Sequence, residues 1–128
     1  MFLVYLLKNN KNNKSYIGYT NDFYKRWKQH NGILKGGARY TTNNKGIWEP
    51  ICIIDGFKDK SEALRCEWRW KRKKGYLNRI KYINYIFNNN LKFTKKGLNI
   101  NTLDLKIYTI KEFYIYFNNL IFRELYWF

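Results

Sequence analysis

The chain has 128 residues, with 25 Lys plus Arg against 9 Asp plus Glu, a formal net charge of +16, 2 cysteines and 1 histidine. This length supports one core with a C-terminal addition rather than two independent domains, and the charge calls for an anionic partner, nucleic acid before a membrane surface. With only Cys52, Cys66 and one histidine, no structural zinc is expected, because a closed tetrahedral site needs four ligands at suitable spacing.

Met1 to Leu7 is apolar but short, has no basic residues ahead of it and runs into Lys8. No secretion signal is expected, and reduced thiols fit an intracellular protein. Phe2–Leu7 and Tyr16–Thr20 are rich in β-formers and flank the polar run from Lys8 to Lys14, which predicts a hairpin with a long basic loop. Asn21 or Asp22 caps a helix on which Phe23, Trp27 and His30 share a face, and Gly32 ends it. Lys35 to Gly46 has no hydrophobic period and predicts an exposed, mobile, basic loop. Trp48 to Phe57 predicts a third strand, with Pro50 marking an edge or irregular entry.

Asp59-Lys60-Ser61-Glu62 has a capping-box pattern and opens a helix running to Lys74, its cations gathered in the last turns. Tyr76 to Phe87 is a second amphipathic run, followed by the break Asn88-Asn89-Asn90 and one or two further helices. The aromatic tail from Tyr114 to Phe128 is interrupted by Asn118, Asn119, Arg123 and Glu124 and is too short to span a bilayer, so it predicts a packed or interfacial element.

In-line hydrolysis of a phosphodiester needs a group to activate water, a cation to neutralise the phosphate and, commonly, a metal to stabilise the leaving oxygen. Arg26 could clamp a phosphate, Glu67 could supply a hard oxygen ligand, and Tyr5, Tyr16 and His30 could move or orient a proton. Taken singly, each has an ordinary explanation. A helix carboxylate pairs with Arg65 or Lys71, an arginine contacts phosphate without catalysis, strand tyrosines pack, and a lone helix histidine is structural.

The combination differs. Val4-Tyr5-Leu6-Leu7, Tyr16-Ile17-Gly18, Arg26, His30-Asn31-Gly32 and Cys66-Glu67-Trp68 resemble, in order and spacing, the GIY-YIG nuclease family, with Leu3-Val4-Tyr5 standing for the first triplet. Gly36-Gly37-Ala38-Arg39-Tyr40-Thr41, Trp48-Glu49, Asp55-Gly56-Phe57 and Glu67-Trp68-Arg69-Trp70 are similar to its SLX-type branch, catalytic subunits of structure-specific endonucleases. The resemblance covers about residues 2 to 75. It implies an α+β fold, a small three-stranded antiparallel sheet flanked by helices, with a nuclease domain over 1–82 and a helical, aromatic extension over 83–128 packing on it.

By the same resemblance, Tyr5 is a base or water-positioner, Tyr16 orients water or phosphate, Arg26 binds phosphate, His30 assists the tyrosines, and Glu67 holds one Mg²⁺ or Mn²⁺. Lys71 stands where that branch usually has glutamine, and the cysteines cannot build its C-terminal RING-like zinc domain. Lys25, Lys28, Gly36, Gly37, Arg39, Arg69, Lys71, Arg72, Lys73 and Lys74 are expected to approach the DNA backbone, giving shape-selective cutting of branched DNA in repair, recombination or replication. An activating protein subunit is a further expected partner, a membrane is not, and a DNA-containing compartment such as the nucleus is the expected location. The alternatives are a homing-type or mobile-element nuclease of the same chemistry, and a basic nucleic-acid-binding module without turnover.

Overall fold

Strand β1 (Phe2–Asn9) is an interior strand of the sheet in a computed structural model that describes residues 1–117 and 122–125. It pairs antiparallel with β2 (Ser15–Thr20) on one side and β3 (Trp48–Phe57) on the other. Successive side chains on a strand point to opposite faces, so β1 feeds two cores. Val4 and Leu6 enter the larger one with Ile17, Ile54, Cys66 and Trp70, while Leu3, Tyr5 and Leu7 enter the smaller one with Phe23, Trp48 and Ile53. Being covered on both faces explains why β1 reads as a continuous apolar run rather than an alternation.

Helix α1 (Phe23–His30) begins where predicted, with the Asp22 carboxylate accepting from the Lys25 backbone N–H. It covers the smaller core. Helices α3 (Lys60–Trp70) and α4 (Tyr76–Asn88) cover the larger core, α3 packing against β1 and β2. The short helix α2 (Arg39–Asn43) lies in the segment between α1 and β3.

The three expected strands pair antiparallel with one another, and the C-terminal segment extends the sheet by a fourth antiparallel strand and a parallel fifth. β4 (Lys106–Thr109) pairs antiparallel with β3, and β5 (Phe122–Glu124) pairs parallel with β4, giving the order β2-β1-β3-β4-β5. That segment was expected to be helical. It contributes 3₁₀ turns at Ile100–Thr102 and Lys111–Phe117 beside the strands, and Phe93, Ile100, Ile107, Phe113 and Phe117 join the larger core. The expectation of a packed aromatic tail falls partly on residues 118–121 and 126–128, outside the described residues. Among the described residues no helix is long and apolar enough to cross a membrane.

Local differences have physical causes. β1 runs on to Asn9, whose buried side chain accepts from the Lys11 and Asn12 N–H groups and donates to the Asn44 and Lys45 carbonyls, so the hairpin loop is shorter than the polar run suggests. Pro50 lies opposite Leu7 at a register shift in the β1–β3 pairing, and β4 pairs with β3 only from Cys52 onward. The missing N–H therefore costs no bond to β4. Helix α3 ends at Trp70, which places Lys71–Lys74 in the exposed connection to Gly75 (φ +84°) rather than in a last helical turn.

The capping box at α3 is half realised. Asp59 accepts from the Ser61 N–H, but Glu62 is buried instead of reaching back, and one of its oxygens takes Arg65 Nη1 at 2.7 Å and the Leu98 N–H at 3.0 Å. Glu62 thereby ties α3 to the C-terminal segment. Replacing it leaves the Leu98 donor and the Arg65 charge without their acceptor, so Glu62→Ala is expected to lower unfolding free energy by about 2 kcal/mol. Urea denaturation checks this, with Arg65→Ala, which leaves the buried Glu62 carboxylate without its cation, also expected to lower the midpoint.

Candidate active site

Tyr5 and Gly18 are directly opposed in the β1–β2 ladder, and the Tyr5 ring lies across the glycine. A Cβ at Gly18 would overlap the Tyr5 hydroxyl and come within 2.6 Å of its Cζ and 3.1 Å of a Tyr16 ring carbon. Glycine is required there by close approach. With that space open, the Tyr5 ring reaches α1, packs edge-on against Phe23, and places its hydroxyl 2.7 Å from His30 Nε2.

His30 is buried at the C-terminal end of α1, with its Nδ1 2.8 Å from Thr41 Oγ1 in α2. The Thr41 hydroxyl donates its one proton to the Ala38 carbonyl at 3.0 Å. It must then accept from Nδ1–H, which leaves Nε2 unprotonated to accept from the Tyr5 hydroxyl. The polar chain Tyr5 to His30 to Thr41 to Ala38 is thus directional and closed within the protein. Burial, with the nearby Arg26 charge adding to it, pushes the His30 pKa down to about 4, and burial pushes the Tyr5 phenol well above its ordinary range. Both are neutral at pH 7.

Arg26 lies one helical turn before His30. Its Nη1 donates to Gln29 Oε1 at 3.0 Å and to the Gly36 carbonyl at 2.7 Å, which fixes the guanidinium, and its charge opposes the burial-driven rise of both the Tyr5 and Tyr16 phenols. Tyr16 is half-buried with its ring 4.8 Å from that of His30 and 6.4 Å from that of Tyr5. Glu67, on α3, is also half-buried. Its carboxyl pKa is raised by burial against an opposing Lys71, its charge acts on both phenols, and Lys71 Nζ lies 3.6 Å from Oε1 and 6.0 Å from the Tyr16 ring centroid. The five residues singled out in the sequence, from the four elements β1, β2, α1 and α3, therefore share one electrostatic neighbourhood.

The expected DNA-contacting residues divide. Lys25 is exposed beside Arg26 along a cleft of about 280 Å³, Arg39 is exposed at the start of α2, and Lys74 is exposed beside a larger groove. Lys28 lies 4.1 Å over the Tyr24 ring, Arg72 lies 5.2 Å from the Trp68 ring and Lys73 lies 5.2 Å from the Tyr82 ring. Gly36 serves through its carbonyl, on Arg26. Gly37 packs against the end of α1, where a Cβ would meet the Gln29 carbonyl oxygen at 2.5 Å. Arg69 turns inward, donating to the Tyr82 hydroxyl and to the Lys92 and Phe93 carbonyls, so it joins α3 to α4 and the following loop.

The segment from Lys35 to Gly46, expected to be an irregular mobile loop, carries α2 and is pinned from several sides. Trp48 Nε1 donates to the Thr41 and Asn44 carbonyls, and Asn31 bonds both the N–H and the carbonyl of Trp48. Thr41, Gln29, Asn31 and Trp48 are the residues that sequence reasoning left without a role. The sequence signal for Thr41 was its place at the end of the Gly36–Thr41 block, but which ring nitrogen it meets is a tertiary fact.

Two phenols, an imidazole and a fixed guanidinium thus lie in the neighbourhood of the Glu67 carboxylate, on a small α+β sheet. Residues 1–82 match the GIY-YIG catalytic domain, and the chain belongs to that family. It is similar to the structure-specific endonuclease subunit SLX1 of Homo sapiens, 35% identical over 71 residues (56% of this chain and 26% of that protein). The SLX1 of Phaeosphaeria nodorum is 42% identical over 71 residues (55% and 19%), and the SLX1 homologue of Caenorhabditis briggsae 47% over 60 residues (46% and 13%). The matches thus cover between 13% and 26% of these relatives' lengths.

Catalysis by GIY-YIG nucleases depends generally on a divalent metal ion. Among the described residues no cluster of three or more His, Cys, Asp or Glu side chains lies together. One half-buried carboxylate with a loose, 3.6 Å lysine contact fits a magnesium-type ion, which takes one or two protein carboxylates and completes its shell with water and substrate phosphate.

The His30 environment makes a prediction about pH. Its folded pKa lies below the unfolded value of about 6.5, so the unfolded chain binds more protons between those values, and stability falls as pH drops from about 6.5 toward 4. Urea midpoints across that window are expected to fall more steeply for the native chain than for His30→Gln. Nitrogen-15 shifts of the imidazole at pH 6 are expected to report the neutral Nδ1–H tautomer, and loss of that tautomer preference in Thr41→Val.

Proposed function

We propose that this protein is a metal-dependent endonuclease that hydrolyses phosphodiester bonds in branched DNA. The observation that carries the proposal is the convergence of Tyr5, Tyr16, His30 and Arg26 with Glu67 across the sheet, α1 and α3. Arg26 holds the scissile phosphate and offsets the charge that builds on it during in-line attack. Its anchoring by Gln29 and Gly36 removes the need to reorganise at that moment.

Tyr5 receives the proton of the attacking water. Because its own hydroxyl already donates to His30 Nε2, the phenol can pass that proton to the imidazole as it takes one from water, and no free phenolate is needed. The imidazolium so formed is disfavoured by burial and Arg26 in the free protein, and a bound phosphodiester supplies the negative charge that offsets both. Tyr16, at the more open side of the cluster, orients the water or a phosphate oxygen. Glu67 would hold the divalent ion, Mg²⁺ or Mn²⁺, which when bound supplies stabilisation of charge on the leaving oxygen.

Selectivity for branched over linear DNA is extended to this chain from relatives named structure-specific endonuclease subunits. The clustered cations outside the site support backbone rather than base recognition. The name subunit likewise motivates assays with an added activating partner. We treat residues 83–128 as an extension that completes the domain of residues 1–82, and a DNA-containing compartment as its place of action.

The test is cleavage of five-prime flap, four-way junction and linear duplex DNA with Mg²⁺ or Mn²⁺, beside chelator. Glu67→Ala is expected to abolish cutting while retaining DNA binding, and Arg26→Ala to reduce the single-turnover rate by about 100-fold or more. Undiminished cutting by Glu67→Ala would remove the metal-ligand assignment. A fixed recognition sequence on linear duplex would replace shape selection with sequence reading.

A further inference from the structure

The surface opens into a groove of about 650 Å³ that shares Tyr16 with the catalytic cluster and extends away from it. Lys14, Lys71, Lys74 and Arg79 line it together with Tyr16 and Tyr40, and no carboxylate does. Tyr40 is 42% exposed and stacks on Tyr16, with ring planes 25° apart and centroids 6.2 Å apart. An aromatic ladder thus leads from the reacting centre out to solvent. Arg79 is fixed, donating to the Ser15 carbonyl and hydroxyl and to the Lys73 carbonyl, so it forms part of a rigid wall. Lys14, Nζ 6.0 Å from the Tyr40 ring, and Lys74 are exposed cations at the rim.

We propose that this groove binds the unpaired strand of the DNA substrate, with a base stacked on Tyr40 and the backbone held by Lys14 and Lys74. The proposal rests on the nuclease reading above and says what makes the substrate branched. Cations alone would suit duplex backbone equally well. The exposed ring is what discriminates, because a base face is free to stack on a side chain only when the strand is unpaired, and such stacking is tolerant of sequence. A strand whose phosphate lies at Arg26 passes Tyr16 and enters the groove directly, so flap recognition and cutting become one continuous track.

The test is binding of full-length protein, in chelator so that nothing is cut, to oligothymidylate, to a hairpin duplex and to a flap carrying 2-aminopurine in its single strand. Native protein is expected to quench the 2-aminopurine. Tyr40→Ala is expected to lose the quenching and weaken oligothymidylate binding about ten-fold with little change on the hairpin, and Tyr40→Trp to restore both. Lys74→Ala, an exposed change that leaves the rings in place, is expected to weaken oligothymidylate binding and flatten its salt dependence. Equal loss on hairpin and oligothymidylate would assign the groove to duplex backbone and overturn the proposal, as would Tyr40→Ala that keeps quenching and affinity. Cleavage assayed separately with Mg²⁺ keeps the two readings apart. Cutting with no Tyr40 effect sinks only the groove, and Tyr40-dependent binding without cutting on any substrate sinks only the nuclease.

Discussion

The bond between the Tyr5 hydroxyl and His30 is the contact on which the arrangement of the site depends. A phenol in the middle of a strand buried on both faces has to place its hydroxyl against a partner, because leaving such a group unpaired costs more than the bond itself contributes. Satisfying it fixes the end of α1 against the sheet. The other ring nitrogen then needs its own partner, and Thr41 supplies it from α2, so a segment without hydrophobic periodicity is held in place by one hydroxyl, by Trp48 and by Asn31. Gly18 is the permissive element, since any side chain there would occupy the space of the Tyr5 hydroxyl.

Charge around this neutral chain is arranged asymmetrically. Arg26 supplies one fixed cation, and Glu67 one carboxylate from the helix on the opposite side of the sheet. Lys71, where α3 ends, stands between that carboxylate and Tyr16. The remaining cations of the 71–74 run leave the helix axis because α3 stops at Trp70, whose indole donates to the Arg79 carbonyl in α4. From the turn after Trp70, Lys71 and Lys74 line the groove, while Arg72 and Lys73 lie against Trp68 and Tyr82. Arg69, one residue earlier, faces the other way and is consumed in joining α3 to α4.

Residues read correctly from sequence share a property: their chemistry depends on spacing within one element or on order along the chain. Phe23, Trp27 and His30 lie along α1, Asp22 caps it, and the order of tyrosines, arginine and glutamate carries the family resemblance. The misread residues are those whose surroundings come from distant segments. Glu62 looked like half of a capping box, yet Leu98 and Arg65 claim its carboxylate. Gly37 looked like room for DNA and is room for the Gln29 carbonyl. Residues 106–109 were hidden in a segment expected to be helical because a strand of four residues gives too short a pattern, and its identity is conferred by the open edge of β3.

By itself the sequence determined the strands β1, β2 and β3, the cap and face of α1, and the ordered residues that carry the family resemblance. These follow from local periodicity, capping chemistry and covalent order, which need no knowledge of the rest of the chain. The tertiary structure alone decided the direction of the Tyr5–His30–Thr41 chain, the anchoring of Arg26 on a loop carbonyl, the inward turn of Arg69 and the groove beside Tyr16. Each depends on which donor meets which acceptor across the fold, and on burial that shifts a pKa, quantities that exist only once distant segments have packed together.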